Sequence, residues 1–364
     1  MKYRRLNLLL AGALLSACAG VALASNELNI VNWSGYVSPD ALKSFQEANG
    51  VKVKYDVLDS DDSLQAKLFG GNTGYDVVYP SSTFMAKQIE AGVYEKIDWS
   101  KIPNRTNLDP ELMNKLALQD PGNQYGVPYV WGTDGLIVNL TKVRKILGPD
   151  FKLDDWNLIF DPAVASKLSA CGISMMDSAS DIFPILLAHM GRDPNSKDVD
   201  DYLAAYAELQ KVRPYITQFS TSYLNDVVSG DICVAAGWSG DATVIQQRMA
   251  EAKLPDEIIY ITPKGATGLW FTLMGIPKDA PNKDNAYKWI NHLLSKEMAA
   301  STTNHITYTT AVLIAKPLVD PTLQASNTVF PRDEDIASAF TFMPIEPKVQ
   351  KVMNKYWLRF KSNG

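Results

Sequence analysis

Three times before residue 92 the chain passes from a short, β-branched segment into a helix with legible ends. That repeated grammar constrains the fold more than any other feature. "ELNIVNW" leads into "SPDALKSFQEANG", where Ser38 is placed to cap, Pro39 takes the first helical position and Gly50 stops the helix. "VKVKYDV" alternates with period two and precedes "DDSLQAKLFGG". "YDVVYPS" reads as a buried strand before "STFMAKQIEAG". Strands separated by helices do not pair as hairpins. Right-handed crossovers lay them side by side in a largely parallel sheet.

The grammar resumes after residue 170: "CGISMM" before "DSASDIFPILLAHMG", the amphipathic "VDDYLAAYAELQKVRPYI", then "GDICVAAG" before "DATVIQQRMAEAKL", which Asp241 could cap. "GLWFTLMGIP" reads as a late strand and "KDNAYKWINHLLSKEMAAS" as helical. A chain of 364 residues is long for one compact sheet, so two α/β lobes are expected. The crossings are expected near "YVWGTDGLIVN" and around "IIYITPKG". That assigns 25–133 with 258–300 to one lobe and 134–257 with 301–364 to the other.

The N-terminus reads as a targeting segment. "MKYRR" is basic, the next stretch is apolar, and Ala22-Leu23-Ala24 has the pattern of a cleaved secretory signal, so 1–24 is expected to be removed. A rival is lipidation of Cys18 after Leu15-Ser16-Ala17, though the residues beyond Cys18 stay apolar where a tether is usually polar. Either way the destination is outside the cytoplasm, the periplasm in a bacterium. After cleavage Cys171 and Cys233 remain. An isolated pair in an exported protein is most simply a disulfide, with two buried thiols as the alternative. The bridge would close a loop of roughly 60 residues, worth on the order of 3–4 kcal/mol.

Lys and Arg number 35 against 40 acids, a net charge of −5, with no basic run, so nucleic acid is not an expected partner. The three histidines lack metal-ligand spacing. No nucleophile elbow or phosphate loop is present. No cofactor and no catalysis are expected. Asp61-Asp62 and Asp154-Asp155 read as solvated loops or caps.

In open α/β sheets ligands gather at the carboxyl ends of strands. Here those ends carry Trp33, Ser34, Gly35 and Tyr36, then Ser81, then Asp177 and Asp181, then Trp238, Ser239 and Asp241, with Trp270 on the late strand. Each has a plainer role available: lobe packing for the tryptophans, helix starts for the aspartates, caps for the serines. Together, indoles, hydroxyls and a few carboxylates suit an organic cation.

The opening "LNIVNWSGYVSPDALKSFQEANGVKVKYDVLDSDDSLQAKLFGGNTGYDVVYPSS" resembles the bacterial periplasmic polyamine-binding proteins, the putrescine and spermidine receptors of ABC importers. So do "DPELM", "YGVPYVWGTDGL", "LSACGISMMD", "SGDICVAAGWSGDA" and "NKDNAYKWINHLL". The resemblance runs collinearly along nearly the whole mature chain. It implies a type II periplasmic-binding-protein fold, two α/β lobes with a hinge and an interlobe cleft, and a bridge between Cys171 and Cys233. It implies a monomeric, non-catalytic receptor for a polyamine-like cation that delivers to a transporter permease. A sensing subunit with the same fold is the alternative. Carried over, the aromatic box falls on Trp33, Tyr36, Trp238, Trp270 and Tyr308, the hydroxyl contacts on Ser34 and Ser81, and the acidic contacts on Asp181 and Asp241. Two departures stand out: Gly35 and Thr272 occupy positions where the family carries acids, and Ser178 replaces a further one. The expected pocket keeps its walls and loses negative charge. A modified polyamine, a monoamine or a zwitterion therefore stays open beside a plain diamine.

Overall fold

The computed structural model describes residues 26–362; the expected leader, with Cys18 and the Ala22–Ala24 signal, lies outside them. β1 (Glu27–Trp33) pairs in parallel with both β2 (Lys52–Leu58) and β3 (Val77–Val78). The connecting helices are Pro39–Asn49 and Asp61–Gly70, and Ser82–Glu90 follows β3. Ser38 caps the first as expected, its hydroxyl accepting from Ala41 N at 3.0 Å, and Gly50 ends it with a left-handed φ of 62°.

β4 (Val127–Asn139) is buried along all 13 residues and joins the two halves of the molecule. Up to Thr133 it runs antiparallel to β9 (Gly268–Met274). From Asp134 it pairs instead with β7 (Val234–Trp238), and from Leu136 also with β8 (Ile258–Ile261). β5 (Ile173–Met175) and β6 (Gln218–Phe219) extend the second half, while β10 (Thr309–Thr310) and β11 (Phe340–Thr341) add to the first through β4 and β9. A side chain at the Thr133–Asp134 step therefore lies where the strand changes partners.

The buried side chains form one large cluster over 28–131 with 269–339 and a second set over 136–266 with 349–360. Two α/β lobes are present, with their boundaries displaced from the expected ones. β8 belongs with the second lobe, because its ladder is to Leu136–Asn139. The stretch 301–339 belongs with the first lobe, where Ile306, Tyr308, Val312 and Ile336 are buried in its core. Only helix Pro347–Lys361 returns to the second. The sequence marks helix ends but not the third crossing near residue 340, where a two-residue strand leaves almost no pattern.

"KDNAYKWINHLLSKEMAAS" is helical as expected, divided into Lys283–Leu293 and Lys296–Ile306 because Ser295 caps the second through Met298 N at 3.3 Å. One local expectation changes as well. Asp241 is not a cap: the helix already runs from Ser239 to Glu251, and Asp241 lies in its first turn. Cys171 and Cys233 are bridged, with Cα atoms 5.7 Å apart.

Candidate ligand-binding site

The strand ends of both lobes face each other across two adjoining chambers. The first, of about 540 Å³, is walled by Trp33, Ser34, Gly35 and Tyr36 from the end of β1 and by Ile306 and Tyr308 from the first lobe. The second lobe contributes Thr221, Leu224, Trp238, Asp241 and Val244. The second chamber, of about 620 Å³, is lined by Asp61, Gln65, Ser81, Lys87, Ser178, Asp181, Phe342 and Met343 among others. Trp238, Trp270 and Thr272 border both, so the two indoles form a shared aromatic wall.

The first chamber is built from its backbone outward. β1 ends in a turn closed by Tyr36 N donating to Trp33 O at 3.2 Å. Gly35 holds φ 72° in that turn, the left-handed region in which a side chain costs energy, although a Cβ there would meet open space. Tyr55 Oη donates to Trp33 O at 2.5 Å, and the Tyr129 hydroxyl donates to Tyr36 O, fixing the turn from behind. Tyr308 stands 6.2 Å from Tyr36 and edge-on to Trp270 at 5.1 Å, centroid to centroid. Its ring lies over Gly240, where a Cβ would fall 2.4 Å from Cζ. The second "WSG" motif thus needs its glycine for a close approach, the first for its backbone.

Asp241 closes the far side of this aromatic box. Its carboxylate accepts from Tyr223 Oη at 2.7 Å and Tyr308 Oη at 3.3 Å. Burial pushes the carboxyl up, and the two phenols act against that push. Burial, aided by the Asp241 charge, in turn holds the Tyr36, Tyr223 and Tyr308 hydroxyls in their protonated form. A carboxylate held by neutral donors and ringed by aromatic faces has the chemistry to accept an ammonium group.

The second chamber is polar. Asp181 lies in the first turn of helix Ala179–His189, and burial raises its carboxyl to about 6 against the opposing effect of Ser178. Asp61 accepts from Ser81 N at 2.9 Å and from Ser81 Oγ at 2.7 Å, and burial raises it too to about 6. Ser81 faces Thr272 in an isolated bridge. Through Ser81, the Thr272 wall is thus linked to the Asp61 carboxylate.

All nine expected side chains border one chamber or both: Trp33, Ser34, Tyr36, Asp241 and Tyr308 the first, Ser81 and Asp181 the second, Trp238 and Trp270 both. Ser81, expected as a hydroxyl contact, donates its hydroxyl proton to Asp61. Asp177, another strand-end acid, is held away from the chambers by Lys361 at 2.6 Å and Trp357 Nε1 at 3.0 Å. Asp61 is the residue that sequence reasoning dismissed. It lies just past the end of β2, and the strand-end rule applied to that strand as well would have found it. Among the described residues no cluster of His, Cys, Asp and Glu could hold a metal ion, and no helix is long and apolar enough to cross a membrane.

The chain is similar to known proteins. Residues 40–330 match the model of the bacterial extracellular solute-binding protein family. The chain is 39% identical over 357 residues to the putrescine-binding periplasmic protein of Escherichia coli, covering 97% of this chain and 96% of that one. It is 40% identical over 357 residues to a putrescine-binding periplasmic protein of Pseudomonas aeruginosa, covering 97% of each. Among solved structures it resembles the spermidine/putrescine ABC transporter substrate-binding protein of Streptococcus pneumoniae, at TM-score 0.81 and 27% identity, over 93% of this chain and 99% of that one. The chain has the two-lobed fold of these receptors, and it belongs to the family of bacterial extracellular solute-binding proteins.

Proposed function

We propose that this protein is a periplasmic receptor that captures a short polyamine of the putrescine type and presents it to the permease of an ABC importer, acting as a monomer. One observation carries the choice of a diamine over a monocation: the carboxylates Asp241 and Asp181 border different chambers on either side of the Trp238–Trp270 wall. A diamine threaded between the indoles meets an acid at each end. Trp33, Trp238, Trp270 and Tyr308 contact the methylene chain, Tyr36 and Ser34 orient the near ammonium, and Ser81 with Asp61 borders the far one. The names of the relatives support the ligand class, and the relatives are periplasmic. Because the ligand touches both lobes, occupancy favours their closure, and the closed form is the signal a permease reads.

The test is isothermal titration of the purified mature protein with putrescine, cadaverine, spermidine, agmatine, butylamine and γ-aminobutyrate. A diamine is expected to bind at least about tenfold more tightly than butylamine, the value of one additional charge-assisted contact. Equal affinity for butylamine and putrescine, or tighter binding of γ-aminobutyrate, would show that the two carboxylates do not act as opposite ends.

A further inference from the structure

Asp134 is fully buried, and neither of its carboxylate oxygens has a hydrogen-bond partner. The other buried aspartates are held: Asp76 accepts from Asn29 N and Asn282 N, Asp120 from Tyr125 N and Gly126 N, and Asp335 pairs with Arg332. An orphaned carboxyl of this kind destabilises a fold unless something else uses it. Its place says what could. It lies at the step where β4 exchanges β9 for β7, directly opposite Trp238 in the antiparallel ladder. Residues directly opposite share a face of the sheet. Trp238 is the wall common to both chambers, and Asp181, on the wall of the polar one, is the charge whose field Asp134 feels. Burial first, and that field second, push its carboxyl well above the ordinary range. The Tyr260 phenol in turn feels the Asp134 charge, together with those of Asp241 and Asp335; no basic side chain is paired with Asp134 among the described residues.

We propose that Asp134 is a specificity-determining residue of the polar chamber, a second counter-charge behind Asp181 that favours ligands carrying a second ammonium group. The inference rests on the diamine reading given above. Two buried acids that share a field repel when no cation is present, and an ammonium at the Asp181 wall relieves that repulsion. Asp134 thereby restores part of the negative charge that Gly35 and Thr272 lack, from the strand that joins the lobes. It acts on the ligand through Asp181, as a positioning charge, since its own oxygens are covered.

The test compares putrescine with butylamine, whose single ammonium needs only the Asp241 end. Calorimetric titrations of wild type and Asp134→Asn give the ratio of the two affinities, with Asp134→Ser as a second variant should the amide fold poorly. The ratio is expected to fall about tenfold or more in both variants, through weaker putrescine binding, while butylamine affinity moves little and the apo melting temperature holds or rises. In the Asp181→Asn background the effect of Asp134→Asn is expected to shrink, because both acids serve one ammonium. A variant that keeps the wild-type ratio, or an effect fully additive with Asp181→Asn, overturns the inference and leaves the receptor reading intact. Wild-type protein that binds neither amine overturns both.

Discussion

Replacing Asp181 by asparagine should stabilise the empty protein at neutral pH while weakening its ligand. Burial raises this carboxyl from the ordinary 3.8 to about 6. Between those values the native acid holds a proton that the unfolded one has lost. The group's stabilising contribution is therefore fully present below about pH 4 and is lost as pH rises through about 6. Two units correspond to roughly 3 kcal/mol. The first-turn position on helix Ala179–His189 favours the charged form by about 0.3–1 kcal/mol, which asparagine forfeits, leaving a net gain of roughly 2 kcal/mol. Bound diamine reverses the order, since the lost charge-assisted contact is worth about 1.5–3 kcal/mol, or roughly 10- to 150-fold in Kd. The assay is scanning calorimetry of wild type and Asp181→Asn at pH 7.5 and pH 4.5, with and without saturating putrescine. The apo variant should melt higher at pH 7.5 and by only about half as much or less at pH 4.5, where the native acid is protonated, and putrescine should favour wild type. A gain equally large at pH 4.5 would refute desolvation of a charge as its origin, and no gain at pH 7.5 would show that the burial cost is already compensated.

Asp241→Asn should weaken putrescine binding roughly 10- to 100-fold, read by titration, because the near ammonium loses the carboxylate that Tyr223 and Tyr308 hold in place. Gly35→Asp should tighten putrescine binding for a backbone cost of about 1 kcal/mol at φ 72°, a conformation aspartate tolerates better than most, with open space for its side chain. Thr272→Asp should help only alongside Asp61→Asn, since Ser81 bridges Thr272 and carries the Asp61 carboxylate. If Gly35→Asp together with Thr272→Asp and Asp61→Asn leaves titrated putrescine affinity unaltered, missing charge is not what distinguishes this pocket. Cys171→Ser with Cys233→Ser should cost about 4 kcal/mol by the loop-entropy estimate and lower the melting transition of the second lobe, where both cysteines lie.

Local pattern alone carried a good deal. The strand–helix alternation of residues 27–90 appears as read, because caps, glycine stops and period-two alternation are short-range chemistry that needs no partner. The strand-end rule and the family resemblance together placed Trp33, Tyr36, Trp238, Asp241, Trp270 and Tyr308 around one cavity. What no local pattern could reveal is which lobe receives each segment after residue 257, since that depends on ladders between residues more than a hundred apart, such as Leu136 with Ile261. Nor could it separate one aspartate from another. Asp61, Asp134, Asp177 and Asp181 are the same letter in sequence. Tertiary packing ties the first to Ser81, leaves the second without a partner beside Trp238, gives the third to Lys361 and half-buries the fourth on a chamber wall. Desolvation and pairing set the charge of a carboxylate, and both are properties of what surrounds it after folding.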